Sequence, residues 1–352
     1  MLTLNQATSM TKGLIKWAVI LVSFGIAVFL IFRIGGIIKN IISPTPPPPP
    51  TVAFGMIPEI KFPILAEIKS YSFTLDTLSG DFPQFPDRAK VFKTIPESAD
   101  LLALQKAIER ARSIDFNSPP IRIVNNEYQW SDPTSENARK LKLDIFSYKF
   151  SVTSSYMNDP NVISANNLPD PEKAKSDGRN FLSSMSVLTD DIDMDNIITT
   201  DLSISNGSLI PASSIANTQI IKVDFFQKKI DELPIYYPSY PESTMMLLIA
   251  GGQNRHQIVQ ANFFHQSISD ESATYPIKTA SEAFEDLKNG NAYIISGESK
   301  DILVRDISIG YYMSDEKQEY MMPIVVLKGN NNFVAYVSAL KNEWVNTSDS
   351  QN

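Results

Sequence analysis

One stretch constrains this chain more than any other. Residues Trp17–Phe32 read WAVILVSFGIAVFLIF, with no charge, no proline and a single glycine. With Gly13–Ile15 before it and Ile34–Ile38 after it, the apolar reach is about 20 residues, enough for a helix to cross the roughly 30 Å hydrocarbon core of a bilayer. Ser43–Pro50 then reads SPTPPPPP. Its proline run must be polyproline II, at about 3.1 Å per residue, which makes a spacer of roughly 20 Å. A PxxP ligand for an aromatic groove is the other reading of the same prolines. The expected layout is a cytoplasmic tail at 1–12, a transmembrane helix at 13–38, a Pro-rich stalk at 39–54 and a folded region beyond. Lys12 and Lys16 precede the apolar run and Arg33 and Lys39 follow it, a near tie that says little about orientation. A cleaved signal peptide is disfavoured, because the run exceeds a usual apolar core and bulky IIKNIIS follows it. The expectation is a single-pass signal anchor in the cell membrane, N-terminus inside and C-terminal domain outside; the opposite orientation is the alternative.

Composition enters where it excludes something. The chain carries a net charge of −8, with 43% hydrophobic and 20% charged residues, values of a globular protein. An acidic balance without a clustered basic face argues against nucleic acid. The absence of cysteine removes disulfides, thiol catalysis and Cys-ligated metal sites, and leaves the redox compartment open.

From Gly55 the pattern is that of an α+β domain. Phe54–Pro63 is extended, and Leu65–Leu78 alternates as a strand. Thr94 and Glu97 have the spacing of a capping box, ahead of a stripe of Leu101, Leu104, Ile108 and Ala111. Ile121–Trp130 and Leu141–Ser154 alternate as two strands. The turn-rich, proline-rich stretch Asn158–Pro171 is the best internal boundary, dividing a first α+β unit at 55–160 from a tandem region at 161–343. Asp170 followed by Pro171 marks a helix start, with Ala174, Phe181 and Met185 inward. Asn206-Gly207 marks a hairpin between strands at Ile197–Ser205 and Ser208–Pro211. Ile220–Phe226, Met245–Ala250 and Gln257–Phe264 follow as strands. Thr279–Glu282 is a second capping box, opening a helix that presents Ala280, Ala283, Phe284 and Leu287 and stops at Asn289-Gly290. Asp301–Met313, Tyr320–Leu327 and Phe333–Leu340 close the fold, and 344–352 reads as a disordered tail. A capped helix followed by antiparallel strands thus recurs about three times, which predicts helix-plus-hairpin units with helices on one face of antiparallel sheets.

The third unit, with TASEAFEDLKNG, ILVRDISIGYYM and YMMPIVVLKGNNNFVAYVSAL, resembles the PepSY-like units in membrane-anchored extracytoplasmic domains of the YycH–YycI type. The likeness rests on Ile307–Tyr312 as one strand and on Tyr320, Pro323, Phe333 and Tyr336 in a final strand pair. The anchor, Pro-rich stalk and Cys-free domain are also similar to uncharacterised single-pass membrane proteins of small-genome bacteria. The resemblance implies interaction rather than catalysis: such domains restrain a neighbouring membrane kinase or an adjacent protease, and the family has no catalytic residues to carry over.

Direct searches for chemistry agree. His256 and His265 are the only histidines; nine residues apart on an expected strand they face opposite sides, so neither a shared metal nor a His-based acid–base site is expected. Asp190, Asp191, Asp193 and Asp195 suggest calcium, but the sixth and twelfth places of such a loop are Asn196 and Leu202 rather than Gly and Glu. Ser9–Lys12 and Ser338–Lys341 match Ser-x-x-Lys without its partner motifs, and Gly251–Asn254 reads as a turn. The aromatic run Ile235–Pro241 remains, and Tyr236, Tyr237 and Tyr240 are the candidate interaction surface, since Tyr offers large contact area at small entropic cost. The expectation is a non-enzymatic protein with no cofactor and no metal. Its partners would be the lipid bilayer, through the N-terminal helix, and an unknown envelope protein that it regulates or scaffolds. A domain sensing a small molecule or glycan is the alternative; it predicts a concave pocket, where protein binding predicts an exposed apolar patch.

Overall fold

In the computed structural model the described residues are 49–346, apart from 64–70, 99, 133–137, 166, 253–255 and 298–299, together with helical positions at 21, 25, 26, 29, 30 and 33. Two compact units result, Met1–Pro49 and Pro50–Asn352. The expected membrane helix and most of the expected stalk fall largely outside the described residues. Among those described, no helix is long and apolar enough to cross a membrane. This corrects the expected span and the cell-membrane placement built on it. A span requires one helix of about 20 apolar residues, and none of the described helices meets that requirement.

The second unit runs in chain order through β1 (Ile57–Pro58), β2 (Ser72–Leu75), β3 (Arg88–Thr94), α1 (Ala103–Ser113), β4 (Ile121–Val124), β5 (Glu127–Asp132), β6 (Arg139–Asp144) and β7 (Phe150–Thr153). It continues with α2 (Pro160–Ile163), α3 (Pro171–Ser184), β8 (Ile198–Ser205), β9 (Ser208–Pro211), β10 (Ile220–Phe225), β11 (Ile235–Tyr236), β12 (Met245–Ala250), β13 (Gln257–Phe263) and β14 (Ile268–Pro276). The last elements are α4 (Ala280–Lys288), β15 (Tyr293–Ser296), β16 (Asp301–Tyr312), β17 (Tyr320–Gly329), β18 (Val334–Ser338) and β19 (Val345–Asn346).

Nine strands form one sheet in the order β4-β5-β6-β7-β13-β12-β10-β8-β9, and eight form a second around β11-β16-β17-β18-β15, with β2, β3 and β14 attached. The fold is therefore mostly sheet, and the expectation of repeated helix-plus-hairpin units is corrected: strands distant in sequence are merged into two wide sheets. The pairing of β7 with β13 carries the first sheet across the boundary expected near 160. Local patterning reports which residues alternate, but not which distant strand completes the ladder. Two expected strands are also hairpins. Ile121–Trp130 folds back at Asn125, where φ is 23°, and Leu141–Ser154 turns between Asp144 and Lys149. Within the expected tail, Val345–Asn346 form β19, which pairs in parallel with β1.

Helices α1 and α3 lie on one face of the nine-stranded sheet. Ala103, Ala107 and Ala111 of α1 and Ala174 and Leu182 of α3 share a core with Trp130, Leu141, Leu143, Val152, Val223 and Leu247. The inward stripe of α1 is thus its alanines, whose small side chains let the helix settle close to the sheet. The expected Leu101 is fully exposed, and Thr94 ends β3, its hydroxyl donating to the Gln318 carbonyl at 2.6 Å. Helix α4 matches expectation, with a complete capping box between Thr279 and Glu282. It buries Ala280, Ala283, Phe284 and Leu287 against the second sheet.

The other face of the nine-stranded sheet is divided. Over β8, β10 and β12 it is covered by Tyr156 and Val162. Over β5 to β7 and β13 it stays open, with Lys142 and Asn262 exposed.

Candidate functional site

Three features stand out: a strap joining the two sheets, a cleft beside it, and a bare sheet edge. The strap is the tyrosine-rich run from Ile235 to Pro241. Its first two residues are β11, which pairs in parallel with β16. Tyrosines of the second sheet then hold its backbone: the Tyr336 hydroxyl donates to the Tyr237 carbonyl at 3.1 Å, and the Tyr293 hydroxyl to the Pro238 carbonyl at 3.1 Å. The Tyr240–Pro241 peptide is cis. On the far side, Glu242 meets Lys222 of the first sheet at 2.7 Å, and the Ser243 N–H donates to Asp224 at 3.3 Å. Lys222 and Asp224 are themselves buried and 3.3 Å apart. Burial pushes the Asp224 carboxyl above its ordinary value, against the pull of Lys222.

The three tyrosines singled out in the sequence are consequently placed very differently. Tyr236 and Tyr237 are buried, at 8% and 3% exposure, and Tyr240 is at 36%. Tyr236 packs on Tyr336 and Tyr240. Tyr237 accepts a hydrogen bond from the Gln227 N–H at 3.0 Å, and burial pushes its phenol well up. Tyr240 receives the Lys328 ammonium at 3.1 Å. Burial opposes the charge on Lys328, yet the Tyr240 hydroxyl, Tyr236 and Asp306 raise its pKa. Large contact area is used inside the fold, to seat the strap.

The cleft, of about 670 Å³, lies between the strap and the open half of the nine-stranded sheet. Lys142, Ser151, Asn262 and Met246 of its floor belong to a cross-strand row that continues past the cleft at both ends. Gln129 lies opposite Lys142, Lys142 opposite Ser151, Ser151 opposite Asn262, Asn262 opposite Met246, and Met246 opposite Asp224. Directly opposed residues share a face, so one line of side chains crosses six strands. Tyr237, Pro238 and Phe264 form the walls, and Lys149 sits over the Phe264 ring at 4.4 Å. No alternation within one strand announces such a row; it exists through the register of strands up to about a hundred residues apart.

The histidines do find acidic partners, distant in sequence. His256 Nδ1 is 3.0 Å from Asp177, and His265 Nε2 is 2.8 Å from Asp191. Burial acts to raise the Asp191 pKa, but His265, Thr189 and Gln227 together hold it well below the usual carboxylate range. Asp191 is thereby spent on His265, Thr189 and Gln227. Among the described residues no group of three or more His, Asp or Glu could hold a metal.

The bare edge is β4. On the described residues no strand pairs with its outer side, and Ile121, Ile123 and Val124 are 64%, 41% and 58% exposed. An edge strand offers unpaired N–H and C=O groups to another chain, and natural edges are commonly blunted by charge or proline. Pro119 and Pro120 stand just ahead of β4 rather than within it, and the guanidinium of Arg122, its one charged residue, is turned back to the Asn125 carbonyl at 2.6 Å.

No family model matches this chain, and no curated protein matches it. Among solved structures, an uncharacterized protein from Eubacterium rectale ATCC 33656 is similar at 12% identity and a TM-score of 0.42, over 78% of this chain and 90% of that one. The Bacillus megaterium YpeB C-terminal domain is a distant structural neighbour at 10% identity and a TM-score of 0.30, over 70% of this chain and 95% of that one. The YpeB domain is PepSY-related; likeness at this level carries no argument about what the present chain does.

Proposed function

We propose that this chain is a non-enzymatic protein-binding module, acting as regulator or scaffold of another protein through strand addition at β4. The observation that carries the reading is the exposure of Ile121, Ile123 and Val124 on an unpaired edge. The occupant is an extended segment of the partner, which gains main-chain hydrogen bonds from the edge and specificity from alternate apolar side chains. The YycH–YycI-type resemblance belongs to the same reading. Its residues fall on three neighbouring strands, β16, β17 and β18, with Phe333 just ahead of β18, in the other sheet from β4.

Site-specific photocrosslinking in the native cell tests this. A crosslinker at Ile123 should give one discrete adduct with another protein, whereas one at Ile215, an exposed apolar residue off the sheet edge, should not. The adduct should disappear when Ile121 is changed to Lys. An Ile123 probe that yields no adduct, or one that Ile121→Lys leaves intact, would remove the edge from consideration.

A further inference from the structure

Most polar groups around the cleft are satisfied within the protein. Asp144 accepts the Phe146 and Ser147 N–H groups at 2.9 and 3.0 Å. Lys149 donates to the Asp315 carbonyl at 2.7 Å, Thr244 donates to the Phe264 carbonyl at 2.8 Å, and Glu242 is paired with Lys222. Three of the exceptions are consecutive in the cross-strand row. Lys142, Ser151 and Asn262 make no side-chain hydrogen bond to another described residue, though they stand side by side on β6, β7 and β13. With strands about 4.8 Å apart, the three span about 10 Å. Each can donate, and one carries a positive charge. Besides the Ser239 hydroxyl on the strap, the remaining free groups are of the opposite kind: the Glu127 and Asp315 carboxylates line the same cleft and form no ion pair among the described residues.

From this division we infer that the cleft binds a small zwitterion of the amino-acid or dipeptide class. Its carboxylate lies on Lys142, Ser151 and Asn262, and its ammonium faces Glu127 or Asp315. A multiply charged anion such as phosphate is disfavoured by the acidic rim, and a purely apolar ligand would leave the donor row unpaired, which is costly. The strap supplies a rigid wall, because Tyr336 and Tyr293 fix its backbone from the second sheet; little ordering is then lost on binding.

Calorimetric titration of the full chain with free α-amino acids and Ala-X dipeptides should find at least one binder. Its C-terminal amide and the Lys142→Ala variant should each weaken binding tenfold or more. Lys142 is exposed, so the variant should keep the thermal midpoint of the parent. An N-acetylated ligand should lose affinity as well. The inference is overturned if no member of the panel binds, if the amide binds as well as the acid, if Lys142→Ala has no effect, or if maltotriose binds in place of the dipeptides. The site leaves the outer edge of β4 unused, so its failure would not bear on strand addition.

Discussion

Asp191 shows how much a single side chain depends on its partners. Its carboxylate gathers His265, Thr189 and Gln227, and in the folded state its pKa is held below the ordinary value. A carboxylate with a depressed folded pKa contributes stability that is present above its unfolded pKa of about 3.9 and is lost as pH falls below it. In that acid window the unfolded chain binds the additional proton, so stability rises with pH there. Urea unfolding of the parent and of Asp191→Asn, followed from pH 7 to pH 3, should show a shallower acid loss in the variant. Parallel curves would mean that this carboxylate does not contribute to the acid limb. In the sequence Asp191 was visible only as one of a run of acidic residues; its histidine lies 74 residues further on.

At the level of elements, local chemistry was most legible where one turn of chain contains its own explanation. Helix α4 begins at Thr279, with Glu282 returning the bond to the Thr279 N–H at 2.7 Å, and it ends before Gly290, whose φ is +82°. Thr279→Ala removes the cap and should cost about 1 kcal/mol, read as a lower urea midpoint; an unchanged midpoint would show that packing of Phe284 and Leu287 alone sets this helix. The Asn206-Gly207 hairpin is equally local: Ser205 lies opposite Ser208, and both turn residues have positive φ, as the favoured two-residue turn demands. Helix α1 went the other way. Of its expected stripe, Leu101 is fully exposed, Leu104 and Ile108 pack only at the margin of the core, and Ala111 is buried in a row with Ala103 and Ala107. Periodicity ranks faces by hydrophobicity, whereas packing against a sheet also ranks them by how closely the backbones can approach.

Across the whole Pro50–Asn352 unit, the strap and the Glu242 that follows it touch both sheets, through β16 and through Lys222. Gly310 of β16 lies directly beneath it: a Cβ there would stand 2.4 Å from the Tyr236 ring and 2.8 Å from the Pro234 carbonyl oxygen. Gly310→Ala must therefore displace β11, and overpacking of this kind costs about 1–3 kcal/mol. Trp130, in the first core, and Trp344, against Tyr275 at the second sheet, allow the effect to be located by single-tryptophan variants. The expected result is a lowered midpoint at Trp344; a midpoint equal to that of the parent would mean the strap yields without cost. By itself the sequence determined the α4 capping box, the Asp170–Pro171 helix start, the Asn-Gly hairpin and the alternation of most strands, because each depends on residues within a few positions of one another. The tertiary structure alone decided the merging of strands into two sheets, the burial of Tyr236 and Tyr237, the histidine–aspartate pairs, the bare β4 edge and the donor row of the cleft. Each of these depends on segments far apart in the chain meeting in space, and where those segments are strands their register is settled by which faces bury together rather than by any local pattern.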